Sequence, residues 1–351
     1  MVRLGTRDAA LVLALAVLPP GADAQDPRLP ADPMAAPSPE AARILAAVPD
    51  EDGQPVEEHY PVSNEWRHDL LFPDVRGLGG AFVGIGTDQC YTLAAVQRAR
   101  VLWVVDHDPV VPLIHRIYGI FLENAERPEQ LLARFEAGER AASEALLEAA
   151  RRPGEVHLRL VYRTFRPRLH HYLTRVARRR IGGRPTTWLS DPTLFAWVRN
   201  LHRTGRVIAR TGDLTADGTV RAIGEAARAL RVPVRVLYLS NAEQFFAYGP
   251  AFRRNLAALP LDERSVVLRT FRHARVPYPP GDRWHYLVQP LHDFRGRVLD
   301  GGYRHSRQLI YDLLADPRRI GEDGVSRLDG AVPRAALEER ALRGSAGSRL
   351  R

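Results

Sequence analysis

The chain has 351 residues and a formal net charge of +9, and every basic side chain apart from histidine is arginine. Cys90 is the only cysteine, which excludes an internal disulfide and leaves packing alone to hold the fold. The length suits one large domain or two small ones, and no stretch beyond the N-terminal leader is apolar for long enough to span a bilayer.

Residues 1–24 have the pattern of a secretory signal. Arg3 and Arg7 form a positive start, residues 9–18 an apolar core, and Ala22-Asp23-Ala24 a small-x-small cleavage site. Export to the periplasm or beyond, with cleavage after Ala24, is the expectation. Residues 25–40 carry five prolines and predict a disordered linker, followed by an irregular acidic segment to Glu58. Within this stretch Ser38 caps a short helix over residues 39–48, with proline at its first position. Ser63 to Asp69 (SNEWRHD) is a polar cluster. It either folds over a ligand crevice or caps a helical turn packed under a sheet.

The stretch GGAFVGIGTDQCYTLAAVQRARVLWVVDHDP, residues 79–109, parses as strand, glycine turn, helix, strand and acidic turn. Gly84 and Gly86 allow close backbone approach to a ligand. Asp88 and Gln89 open the helix, and Asp106 and Asp108 follow the second strand. Such a unit binds nucleotide-like ligands at the carboxyl ends of its strands. A third glycine at the dinucleotide spacing is missing. Cys90 and His115 fall on helices, where packing is their ordinary role.

Residues 109–124 and 129–152 predict helices. Residues 151–180 hold ten arginines against Glu155 alone, a local net of +9, on an amphipathic segment that Pro167 should break or restart. This face is either a solvated helix surface or a site for an anionic surface or polymer. Asp191 caps a further helix, so residues 123–205 form an all-helical insertion over the crevice. Strands follow at residues 207–209, 232–239 and 265–270, with a late candidate at 285–288, and Asp217 caps a helix to Leu230. Asp213 follows the third strand, and Asn241 and Glu243 follow the fourth. There Glu243 is placed to act as a base and Asn241 to orient. His273, His285 and His292 lack metal-ligand spacing, so no metal is expected. A helix at residues 305–314 closes the core, and residues 316–351, with a further helix at 334–342, are expected to fray.

The G-I-G-T-D turn with the acid after the next strand resembles the first two motifs of class I S-adenosylmethionine-dependent methyltransferases. The resemblance implies that Gly84, Gly86, Asp88, Gln89, Asp106 or Asp108, and Asp213 bind S-adenosylmethionine, with Asn241 and Glu243 at the reaction centre. The segments RHDLLFP, GGAFVGIGTDQCYTLAA and VVDHDPVVPLIHR resemble a family of uncharacterised exported bacterial proteins. The expected fold is α/β, a doubly wound and mostly parallel sheet over residues 59–315. Two functions follow: methyl transfer to an unknown acceptor, or non-enzymatic binding of a small molecule or envelope polyanion outside the cytoplasm. A different, cofactor-free reaction on the same scaffold is a third. S-adenosylmethionine is made in the cytosol, which argues against the first for an exported chain.

Overall fold

Val101, Trp103 and Val105 face one side of a strand, and Leu102 and Val104 face the other, all buried. That double burial is what a central parallel strand needs. The computed structural model describes residues 28–30, 32, 35–53, 56–153, 155 and 157–328. The signal-like leader and the expected helix at 334–342 lie outside the described residues.

In chain order the strands are β1 (Ala81–Ile85), β2 (Val101–Asp106), the small hairpin β3 (Arg180–Ile181) and β4 (Arg184–Pro185), β5 (Val207–Thr211), β6 (Val234–Tyr238), β7 (Val266–Phe271), β8 (His285–Pro290) and β9 (Val325–Arg327). The main sheet has the order β5-β2-β1-β6-β7-β8-β9. The first five are parallel; β8 runs antiparallel to β7, and β9 runs parallel to β8. The chain moves outward from β1 through β2 to β5, then crosses back to β6. That reversal puts a topological switch point between β1 and β6, where doubly wound sheets open a crevice at their carboxyl ends.

Helices cover both faces. One layer holds α2 (Phe72–Val75), α3 (Gln89–Gln97), α4 (Val110–Glu123) and the insertion, made of α5 (Pro128–Ala133), α6 (Arg140–Ala149), α7 (Leu158–Arg178) and α8 (Pro192–Arg203). The other holds α1 (Pro39–Ala46), α9 (Thr219–Ala229), α10 (Pro250–Ala258), α11 (Leu291–Leu299) and α12 (Ser306–Ala315). Among the described residues no helix is long and apolar enough to cross a membrane.

Several local expectations are corrected. The proline-rich stretch before α1 packs on the core at the residues described: Leu29 is 3% exposed, and the Arg100 and Arg206 guanidiniums donate to the carbonyls of Pro30 and Ala35. These arginine donors give the carbonyls partners that water would otherwise supply. One helix expected over 129–152 is two, α5 and α6, with Gly138 between them. The insertion is not all-helical, because the hairpin β3-β4 joins α7 to α8. Pro167 does not break α7, which is continuous over 21 residues. Its ring lies on the exposed side, where the carbonyl that loses its partner can meet water. Asp217 pairs with Arg254 instead of capping α9. The cap is the Glu51 carboxylate, which accepts from the backbone N–H groups of Asp213, Gly218 and Thr219 at 2.7, 2.6 and 2.9 Å. The segment after Asp316 supplies β9 to the sheet instead of fraying at once.

Candidate functional site: a polar recess at the switch point

Asp282, on the connection between β7 and β8, fixes the segment that reaches the crevice. One of its carboxylate oxygens accepts from the backbone N–H groups of Trp66 and Arg67 at 2.6 and 3.0 Å and from the Tyr286 hydroxyl at 2.6 Å. With the backbone pinned, Glu65 turns inward. Its Oε1 accepts from the Ser240 and Thr270 hydroxyls, and its Oε2 from the Tyr238 hydroxyl and from His68 Nε2 at 3.1 Å. Ser240 holds a φ of 50° to do this, a strained position for a residue with a Cβ, just past the end of β6. Burial alone would push Glu65 up, but the donors His68, Ser240 and Thr270 outweigh it and hold the carboxyl below its ordinary range. Glu65 is therefore an ionised anchor that orients His68.

Around His68 lies a narrow recess with a cavity volume of about 20 Å³, room for a water molecule or two. Its walls include Trp66 and His68 from the pinned segment and Asp88, Gln89 and Thr92 from the start of α3. Tyr172, Val176 and Arg179 come from the end of α7, and Thr186 and Thr187 from the loop after β4. The insertion thus supplies much of the site. Trp66 is its outer wall: its ring meets Tyr172 at 5.6 Å, and the guanidiniums of Arg175 and Arg179 lie over it at 4.2 and 5.2 Å.

Asp88 forms the floor, 1% exposed. Its Oδ2 accepts from Trp188 Nε1 at 2.9 Å, while Oδ1 has no hydrogen-bond partner among the described residues. Thr186 Oγ1 and Arg179 Nε are buried and unpartnered in the same way. Other unmet buried atoms, such as Trp103 Nε1 and Asn255 Oδ1, lie elsewhere in the core; these three share one recess. Their grouping marks a place where a water or a ligand group completes the hydrogen bonding. Burial pushes the Asp88 carboxyl above its ordinary value, and the neighbouring Trp188 and Tyr172 donors offset this only in part.

The residues expected to hold S-adenosylmethionine are placed differently. Asp88 and Gln89 do line the recess. Gln89 Oε1, however, accepts from the N–H and hydroxyl of Thr87. Gly84 lies within β1, and a Cβ there would stand 2.5 Å from the Phe82 ring and 2.7 Å from Cys90 Sγ, so the chain's own packing demands that glycine. Gly86, at a φ of 98°, makes the turn, and its carbonyl accepts from His115 Nε2 at 3.0 Å. Burial lowers the pKa of His115 to about 4, which keeps the ring neutral. Asp108 accepts from His59 Nδ1 at 2.9 Å and from the Val110 N–H. Asp106 accepts from the Asp108 N–H, and burial pushes it up to about 6. Asp213 binds Thr215 in its own turn, and Glu51 covers the end of β5 beside it. As folded, the ends of β2 and β5 face the chain's own N-terminal segment, and this set of groups does not fit the cofactor.

Nor do the two residues expected at the reaction centre meet the recess. Glu243 packs with Tyr248 on the opposite layer. Its oxygens accept from Arg269 Nε at 2.6 Å and from the Tyr248 hydroxyl at 2.7 Å. Asn241 only precedes the short 3₁₀ turn Ala242–Phe245, where its carbonyl accepts from the Gln244 N–H. Along the basic segment, Arg159 and Arg163 pair with Glu144 on α6, while Arg168 and Arg178 are exposed.

Fold and site together define a doubly wound, Rossmann-like α/β protein with a polar recess at its switch point, roofed by a helical insertion. The chain belongs to the family described as a domain of unknown function, DUF7790, whose model matches residues 60–329. That span takes in every wall of the recess as well as β9. No curated protein matches the chain.

Proposed function

We propose that this chain is a binding protein that takes one polar group of its ligand into the narrow recess between Asp88 and Arg179. One observation carries this: Asp88 Oδ1, Thr186 Oγ1 and Arg179 Nε are buried without partners, among the described residues, on the same few walls. Groups left like this take their partner from outside the chain, a water or a ligand, whereas the donors around Glu65 are paired within it. The signal-like leader supports a setting outside the cytoplasm. Methyl transfer from S-adenosylmethionine would require the segment around Glu51 and His59 to leave the ends of β2 and β5.

Thr186→Val tests the proposal without knowledge of the ligand. The hydroxyl has no partner to lose, so denaturant unfolding of the variant should stay within about 0.5 kcal/mol of the parent. A loss above about 1 kcal/mol would make that hydroxyl part of the fold's own hydrogen-bonded framework and would contradict the proposal.

A further inference from the structure

We infer that α7 carries a second site, independent of the recess: a surface along its C-terminal half for a linear acidic polysaccharide, a chain of carboxylate-bearing sugars. The basic helix divides in two. In its first half Arg159 and Arg163 pair with Glu144, Arg159 also reaches Glu148, and Arg166 donates to the Phe135 carbonyl at 2.8 Å. From Arg168 onward that neutralisation stops. The sequence has no acid between Glu155 and Asp191, and Asp191 is occupied as the cap of α8. Among the described residues no carboxylate pairs with Arg168, Arg175 or Arg178.

Arg168, His171, Arg175 and Arg178 are all exposed and follow one another at steps of three, four and three residues. Such steps form one straight row about 15 Å long, with neighbours about 5–6 Å apart. Arg175 rests on the Trp66 ring, which fixes the guanidinium without neutralising it. Like charges at this spacing repel, and no acid of the fold relieves them. An extended polyanion laid along the row would, because a guanidinium takes a carboxylate through two parallel hydrogen bonds. The other face of α7 is spent on the core, where Leu169, Tyr172, Leu173 and Val176 are buried. Between Arg168 and Arg184 no large apolar side chain is exposed. The row therefore has neither the apolar anchor of a membrane-surface helix nor an aromatic face on which bases stack. Tyr60, near Arg168, is tied to Glu58 at 3.1 Å. The signal-like leader supports the setting in which such polymers are met.

The test titrates the full chain with polygalacturonate, galacturonate, single-stranded DNA and phosphatidylglycerol vesicles at equal concentrations of charge. Polygalacturonate should bind and galacturonate should not. The binding should be lost in about 1 M salt, where the screening length falls to about 3 Å. Arg168→Gln combined with Arg178→Gln should weaken polygalacturonate binding about fivefold or more. Arg304→Gln combined with Arg307→Gln, at exposed positions beside and on α12 in the opposite layer, removes the same charge and should leave binding unchanged. No binding of polygalacturonate, or an equal loss in both double variants, would overturn the inference. So would tighter binding of the DNA or the vesicles than of polygalacturonate. These outcomes judge the α7 row alone, whereas the Thr186→Val unfolding result judges the recess.

Discussion

Glu243→Ala is expected to destabilise the protein by about 3–5 kcal/mol, a large share of the stability of an ordinary domain. Glu243 and Arg269 are each 3% exposed and their charged atoms stand 2.6 Å apart. Removing the acid leaves a buried guanidinium with only Gln289 Oε1 at 2.9 Å and the Phe294 ring at 4.4 Å. The double variant Glu243→Leu, Arg269→Met should recover most of the loss, because an apolar pair of similar volume replaces a buried ion pair at little cost. Urea unfolding of the three proteins measures this. A Glu243→Ala protein as stable as its parent would contradict a purely structural role and return Glu243 to the chemical candidates.

Glu65→Ala should cost a similar amount, about 3–5 kcal/mol. The carboxylate is the common acceptor for Ser240, Thr270, Tyr238 and His68, and without it four donors face a cavity. The φ of 50° at Ser240 would also lose the bond that holds it. Glu65→Gln should fall between the parent and the alanine variant, since the amide keeps the volume and one acceptor. Urea unfolding again reads the effect. A cost below about 1 kcal/mol for Glu65→Ala would mean that the segment at the switch point is not held by this network.

Both residues mark where sequence reasoning reaches and where it stops. The strands β1, β2 and β6 are legible because each is a short, mostly apolar run, too brief for a helix and closed by glycine, an acid or a polar turn. The insertion is legible from helical spacing, and its place over the crevice follows from its position between the second and third parallel strands. The recess is not. Its groups come from separated segments, and Asp282, which pins Trp66, lies 216 residues away. Asp88 is visible as a polar group at a helix start after a glycine turn. Glu65 and His68 are visible only as members of a polar cluster with two open roles.

An acid just past a strand reads identically whether it meets the crevice or the opposite layer. Arg269 on β7 decides that for Glu243, and no local pattern around Glu243 announces it. Arg179 is hidden inside a run of arginines, several of them paired or solvated. Thr186 and Thr187 follow Gly-Gly-Arg-Pro, a signal for a turn and nothing more. Gly84 illustrates the reverse error: a glycine read as room for a ligand is room for Phe82 and Cys90.

Asp88→Asn, unfolded in urea beside the parent with no ligand present across pH 4 to 7, tests the central claim most directly. Burial raises the Asp88 carboxyl in the folded state above its ordinary 3.8, so the folded protein binds that proton more tightly than the unfolded chain does. The parent should therefore lose stability as pH rises from the unfolded value through the raised folded one, and the asparagine variant should escape that loss. Asp106, raised to about 6, titrates in the same window but is present in both proteins and cancels in the comparison. A variant as stable as the parent near pH 4 and more stable near pH 7 is the result expected of a buried acid kept for a ligand. A variant less stable by more than about 1 kcal/mol across the range would show Asp88 holding the fold together, and the recess would not be a binding site.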